Sequence, residues 1–273
     1  MNKNFNKLVE AKNGLCLYNI NDQYIGHSIE KYGEFSELEV ELFKQICRDN
    51  DTVVEVGANI GTHTQVFSKL VGEKGKVLAF EPQRIVFQTL NANIALNSMT
   101  NVFTYQNALG SKSSTLFIPP INYEKSGNFG GISIDKFKDG EPIKQLKLDS
   151  FIDEVKNLKL IKIDVEGMES DVIKGSKKTI EKFKPFLYVE NDRQEKSKEL
   201  IELIQSLDYK IYWHLPRLFN EDNYFKNKTN IFGNIVSVNM LCIHNNIDIK
   251  VNKMIEVTDS NYHPMKRDKN DEK

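Results

Sequence analysis

Cysteine is scarce in this sequence. There are three, Cys16, Cys47 and Cys242, and no CxxC pair. An odd number at wide spacing argues against a disulfide framework and against a zinc site. Cys47 falls on an apolar helix face and Cys242 in an apolar strand, so both read as small core residues. Long apolar runs are also missing. None approaches the ~18 residues that a membrane-spanning helix needs. The N-terminal MNKNFNKLVEAKNG has no apolar signal-peptide core, which points to a reducing, cytoplasmic setting with no membrane partner. Neither sign of charge dominates: 37 Lys and Arg face 38 Asp and Glu. A nucleic-acid partner is therefore not expected, because such proteins carry a basic excess or stripe.

What the chain does have is apolar residues at 40% of 273, enough for the core of one large α/β domain. Its organising stretch is TVVEVGANIGTHT at 52–64, a buried-type strand, a glycine turn and a helix start. Before it, residues 1–35 read as an N-terminal extension of short strands, GLCLYNI and QYIG, around an Asn21-Asp22 turn. SELE at 36–39 reads as a capping box, with Ser36 as N-cap and Leu38, Leu42, Phe43 and Ile46 on one helix face.

Strands and helices alternate after residue 52, with strands at KVLAF (76–80) and NVFTYQN (101–107). Near-continuous apolar strands of this kind predict a parallel sheet covered on both faces. The alternation breaks at 111–150, where STLFI and IKQLKLDSF bracket a Pro- and Gly-rich loop containing NFGG. A loop of that length reads as a substrate-facing insertion, with a mobile surface loop as the alternative. Alternation resumes with KLIKID (159–164), a helix over about 168–183, FLYVE (186–190), a helix over 194–207 and YKIYWH (209–214). SVNMLCI (237–243) is a last strand of reversed direction. The expected domain is 36–250, followed by a polar tail over 251–273 that frays from Asp259.

The candidate chemistry lies at strand ends, the ligand edge of an open α/β sheet. Gly57 and Gly61 let backbone approach a ligand without a Cβ clash. A dinucleotide turn would need glycine at 59 and near 62, where this chain has Asn59 and Thr62. A ligand carrying one carboxylate and one ammonium fits better, with Glu55 offsetting the ammonium. Glu81, twenty positions after Gly61, is placed to accept hydrogen bonds from ribose hydroxyls. Asn107 and Ala108 end the third strand, where an adenine would lie. Asp164 and Glu166 follow the fourth strand, and Glu190 and Asp192 the fifth. Their alternatives are cofactor ammonium, substrate hydroxyl, a divalent metal such as Mg²⁺ (possible but not favoured), or plain helix N-terminal charge. His63 lies beside the turn. His214 ends the sixth strand and is the candidate general base, with a structural histidine as the alternative.

In order and spacing, VVEVGANIGTHT, VLAFEP, QNALG, LIKIDVEGMESDVIKG and FLYVEND resemble the FkbM family of S-adenosylmethionine-dependent methyltransferases. The resemblance implies a class I methyltransferase fold, Rossmann-like, with a seven-stranded, mostly parallel sheet and a reversed last strand. It implies S-adenosylmethionine as cofactor and O-methylation of a hydroxyl on a small-molecule or glycan acceptor: a sugar, a glycan or a natural product. It carries Glu55, Gly57, Asn59, Gly61 and Glu81 over as cofactor residues, and Asp164 and Glu166 as the family's DxEG element. Many members have aspartate where this chain has Glu55. Two rivals stand beside it, a nicotinamide oxidoreductase and a non-catalytic nucleotide-binding module.

Overall fold

The computed structural model describes residues 4–134 and 136–265. The chain opens with a hairpin, β1 (Asn6–Ala11) and β2 (Gly14–Asn19), and two helices, α1 (Ile25–Tyr32) and α2 (Glu37–Ile46). The central alternation is β3 (Thr52–Val56), α3 (Thr62–Val71), β4 (Lys76–Phe80), α4 (Arg84–Leu96) and β5 (Val102–Tyr105). Three short strands follow, β6 (Ala108–Leu109), β7 (Ser114–Ile118) and β8 (Glu141–Leu146). The chain then returns through β9 (Leu158–Ile163), α5 (Glu169–Lys174), α6 (Lys177–Phe183), β10 (Phe186–Glu190), α7 (Gln194–Gln205) and β11 (Tyr209–His214). It closes with β12 (Asn239–His244) and β13 (Ile255–Glu256).

The main sheet has the order β13-β11-β12-β10-β9-β3-β4-β5. Strands β10, β9, β3, β4 and β5 are mutually parallel, and β12 runs antiparallel to both β10 and β11. This is the expected seven-stranded sheet with its reversed strand, extended by the two-residue β13. All five residues of β3 are buried, because helices cover both faces and leave no solvent side. One face packs on Ile173, Leu200 and Ile204, the other on Phe43, Phe67 and Val71. Since the central strands share a direction, the residues after β3, β4, β9 and β10 meet at one edge.

Local expectations depart from the structure where side chains compete for backbone groups. QYIG is not a strand. The Asp22 carboxylate accepts the amides of Tyr24 and Ile25 and starts α1 there. Ser36 does not cap with its side chain. It sits at φ 51°, and its hydroxyl donates 2.8 Å to the Glu39 carboxylate. Leu38 accordingly turns outward, while Glu39 is buried. The strand expected over 143–151 stops at Leu146, because Asp149 takes the amides of Lys178 and Thr179 and caps α6. The same cap, with Gly175 pressed against the Gly110 carbonyl, divides the expected 168–183 helix into α5 and α6.

Residues 4–35 are tied into the domain: Asn93 of α4 and Asn97, the residue that caps its C-terminus, accept the amides of Leu17 and Leu15. The tail is also anchored beyond Asp259. His263 is buried, its Nε2 lies 2.8 Å from the Asn191 carbonyl, and its ring stands edge-on to Trp213. Residues 266–273 lie outside the described set. Among the described residues no helix is long and apolar enough to cross a membrane.

Candidate active site

Two adjoining cavities occupy the C-terminal edge of the sheet. The larger, about 400 Å³, runs from the glycine turn past Lys162, Asp164 and Glu190 to Asn239. The smaller, about 50 Å³, is a slot between Phe80, Asn107, Ala108, Leu109 and Met168. Gly57, Glu81, Gly130, Asp164 and Glu166 line both.

The turn is built for close approach. Gly57 has φ 83°, and a Cβ there would meet the Asp164 carbonyl oxygen at 1.8 Å. Asn59 follows at φ 50°, a conformation that asparagine tolerates better than most side chains. Its amide donates 2.9 Å to Glu81 Oε2, and the Gln83 amide donates 2.8 Å to Oε1. Each Glu81 oxygen keeps a further lone pair for a ligand. Burial raises the Glu81 pKa to about 7 against those two amide bonds. Glu55 accepts the Thr64 hydroxyl at 2.5 Å. Burial raises it to about 7 as well, with Lys162 opposing.

Glu55 and Lys162 are register partners on β3 and β9, so both side chains leave the sheet on the same face. Lys162 is 3% exposed, and its Nζ lies 2.9 Å from Asp164 Oδ2. Burial works against its charge, but Asp164, Glu55 and Glu39 together raise its pKa. The sequence reading missed Lys162 and gave Glu39 to a helix cap. The available signal was a lysine inside the otherwise apolar strand LKLIKI, whose burial demands a carboxylate partner.

Asp164, Glu166 and Glu190 each bring a carboxylate oxygen within 4.8 Å of the others. Burial alone would raise Asp164, but the Lys162 charge and hydrogen bond bring its pKa below the ordinary value. Glu166 goes the other way, to about 8, through burial and the charges of Asp164 and Asp192, opposed by Arg193 at 2.5 Å. Glu190 is raised well above its ordinary value by burial and the same carboxylates, and its Oε2 has no hydrogen-bond partner among the described residues. The donor set is all oxygen, the type that hard divalent cations take.

The remaining predicted residues divide. Thr62 lines the large cavity; Asn107 and Ala108 line the slot. Gly61 caps α3 at φ 89°. His214 lines neither cavity. Its Nδ1 is 2.8 Å from the Tyr188 hydroxyl, and burial lowers its pKa to about 4. The NFGG insertion folds back over the turn: Asn128, Gly130 and Gly131 line the large cavity, and Gln83 donates to the Phe129 carbonyl at 2.8 Å. Gly130 sits where a Cβ would be 2.6 Å from Asn59 Nδ2. The far wall is Tyr24, Ile25, Phe35, Leu218 and Val238, drawn from the N-terminal segment and the 215–238 connection.

The cradle also fits S-adenosylmethionine. It offers a turn with no room for a Cβ, a braced acid at the ribose position, a partly apolar slot where adenine would lie, and carboxylates for a cation.

The chain is similar to several known proteins. "Methyltransferase 1" of Beauveria bassiana is 33% identical over 46% of this chain and 59% of its own length. The hexuronic acid methyltransferase AglP of Haloferax volcanii is 29% identical over 50% of this chain and 54% of its own. The chain thus spans little more than half the length of these relatives. A solved FkbM methyltransferase of Methylobacillus flagellatus is 17% identical, with TM-score 0.47, over 75% of this chain and 50% of that one. The model of the methyltransferase FkbM domain matches residues 55–211, more than half of the sequence and the whole span from the glycine turn to β11; the chain belongs to that family.

Proposed function

We propose that this protein is an S-adenosylmethionine-dependent O-methyltransferase that acts on a hydroxyl of a sugar, glycan or other small molecule. The observation that carries the reading is the convergence of Asp164, Glu166 and Glu190 beside the glycine turn, in one cavity with Glu55 and Glu81. When bound, S-adenosylmethionine supplies a methyl group on a sulfonium, already activated for attack.

The protein's part is to hold, orient and deprotonate. Glu81 holds ribose hydroxyls, Gly57 and Asn59 give the backbone its close approach, and Asn107 and Ala108 border the base. Asp164, kept ionised by Lys162, accepts the hydrogen bond of the incoming hydroxyl and aligns its oxygen. Glu190 takes the proton. Burial and the neighbouring carboxylates raise its pKa, and positive charge seated against the cluster would draw it back down, which suits a carboxylate that takes a proton. Tyr24, Ile25, Phe35 and Leu218 offer the acceptor an apolar wall.

Hexuronic acid is the acceptor class in one relative's name. In this chain, the cavity's carboxylates outnumber its cations, Lys162 and Arg193, which favours a neutral or cationic acceptor over a uronate. The test is transfer from methyl-labelled S-adenosylmethionine to a panel of neutral sugars, amino sugars and uronates, read by mass spectrometry. A labelled methyl ether on a neutral or amino sugar supports the reading. Cofactor binding without transfer to any hydroxyl, in a panel extended to natural-product alcohols, contradicts it.

A further inference from the structure

Residues 257–265 run back along α7 toward the ligand edge of the sheet. The Val257 amide donates 2.8 Å to the Ile211 carbonyl of β11. Gln205 donates to the Val257 carbonyl, the Ser260 hydroxyl to Glu202, and Gln194 to the Met265 carbonyl, so the segment passes from the last turn of α7 to its first. It lies beyond the family-matched span of 55–211.

At the first turn of α7 the segment meets the active-site edge. His263 is buried, and both of its ring nitrogens are engaged. The Met265 amide donates to Nδ1 at 3.2 Å, which leaves the proton on Nε2, and Nε2 donates to the Asn191 carbonyl at 2.8 Å. That carbonyl belongs to the peptide joining Asn191 to Asp192, one residue past Glu190. Asn191 is held elsewhere too. Its amide donates 2.7 Å to the Val238 carbonyl, and its Nδ2 donates 3.0 Å to the Ser197 hydroxyl. With the carbonyl also fixed, the chain leaves Asn191 in one direction, which sets where Asp192 and Arg193 stand. Arg193 reaches Glu166 at 2.5 Å and lines the large cavity with Glu190 and Asp192.

Packing on Trp213 does not explain a histidine here, because a phenylalanine ring would pack there as well. What phenylalanine cannot do is donate to the Asn191 carbonyl. A buried carbonyl stripped of its donor costs about 1–3 kcal/mol, enough to turn the peptide that carries Asp192 and Arg193.

We infer that His263 is a positioning residue of the active site: through the Asn191 carbonyl it holds Arg193 against Glu166, and so sets the balance of charge around Glu190. Its bearing on proton transfer rests on the methyltransferase reading; its hold on Arg193 does not. The groups that face Glu190 are Asp164, Glu166, Glu169 and Asp192, with Arg193 and the Asp164-bound Lys162 as cations. Moving Arg193 away leaves the carboxylates less compensated and raises Glu166 and Glu190 together.

The test is carbon-13 NMR titration of carboxyl-labelled glutamates in the wild-type protein, His263→Phe and His263→Gln. It needs neither cofactor nor acceptor. Glu166→Gln and Glu190→Gln assign the signals, and thermal unfolding checks that each variant folds. Phenylalanine keeps a ring against Trp213; glutamine returns an N–H donor near the Nε2 position. Glu166, near 8 in the wild-type protein, should titrate about one pH unit higher in His263→Phe, and His263→Gln should recover most of that rise. A lower melting temperature with the Glu166 midpoint unchanged would overturn the assignment, by reducing His263 to a packing residue. A rise as large in His263→Gln as in His263→Phe would also overturn it. Calorimetric titration with S-adenosylhomocysteine separates this inference from the reading it rests on. Affinity in His263→Phe should stay within about twofold of wild type, because the cofactor turn and His263 share no partner. A tenfold loss would overturn the positioning role in favour of a cofactor one. Absence of binding by the wild-type protein would sink the methyltransferase reading and the proton-transfer role with it, whatever the NMR titration shows for Arg193.

Discussion

The Lys162 ammonium and the Asp164 carboxylate, two residues apart across the end of β9, lie 2.9 Å from each other at the floor of the large cavity. The lysine is almost wholly buried, while the aspartate's exposed surface, 41% of its side chain, faces the cavity. One cation thus answers to three carboxylates, Asp164, Glu55 and Glu39. That imbalance underlies most of what the site is expected to do.

Replacing Lys162 by methionine keeps the bulk and removes the charge. Buried Glu39 and Glu55 then lack their cation, which costs about 3 kcal/mol, the low end for a broken buried pair because Asp164 is partly exposed. The loss should be larger at pH 8 than at pH 5, where protonation removes the stranded charge. Urea unfolding at both pH values measures it. Stability unchanged at pH 8 would show that Lys162 is not the balancing charge.

The pH dependence of the ligand-free protein follows from the same acids. Glu55 and Glu81 titrate near 7 and Glu166 near 8 when folded, above the ordinary ~4.3 of an unfolded glutamate. Between those values the folded state holds more protons than the unfolded state, so stability falls as pH rises. His63 acts oppositely. Burial and Lys162 lower it to about 3, so it favours the fold as pH rises from 3 to about 6.5 and adds no slope above that. Unfolding temperature should therefore fall between pH 6.5 and 8. Glu81→Gln should flatten that fall, and a melting temperature rising over this range would contradict the account.

His214 offers a sharper separation. The pattern of β11 placed it at the ligand edge, but its ring nitrogen is engaged by Tyr188 and it lines neither cavity. His214→Ala is expected to leave the methyl-transfer rate within about threefold, whereas Glu190→Gln should lower it by about 10²-fold or more with cofactor affinity retained. A hundredfold loss in His214→Ala with intact affinity would make that histidine the proton acceptor.

The contrast shows what local sequence can and cannot carry. Strand period, glycine turns and strand-end acids are set by neighbours a few residues apart, so Gly57, Glu81 and Asp164 were legible before the structure. Glu39 was not. Its spacing from Ser36 matches a helix cap, and only packing against β9 and β12 turns it to Lys162 and to Asn239, 3.2 Å away. The far wall was illegible for a similar reason. Tyr24 and Leu218 are distant in sequence and are brought together by the apolar cluster around Tyr32 and Phe232 and by the bonds of Tyr32 to Thr229 and Ile231 and of Glu34 to Asn220 and the Tyr224 amide. His263 carries no signal in the local sequence because its partners, Asn191 and Trp213, lie fifty and more positions away.

The most direct test of the central claim is calorimetric titration of the wild-type protein and Glu81→Gln with S-adenosylmethionine and, separately, with NADH. The account predicts saturable binding of S-adenosylmethionine to the wild-type protein, an affinity about 30-fold weaker in Glu81→Gln, equivalent to about 2 kcal/mol, and no binding of NADH. Saturable NADH binding, or the absence of any S-adenosylmethionine binding by the wild-type protein, would contradict it.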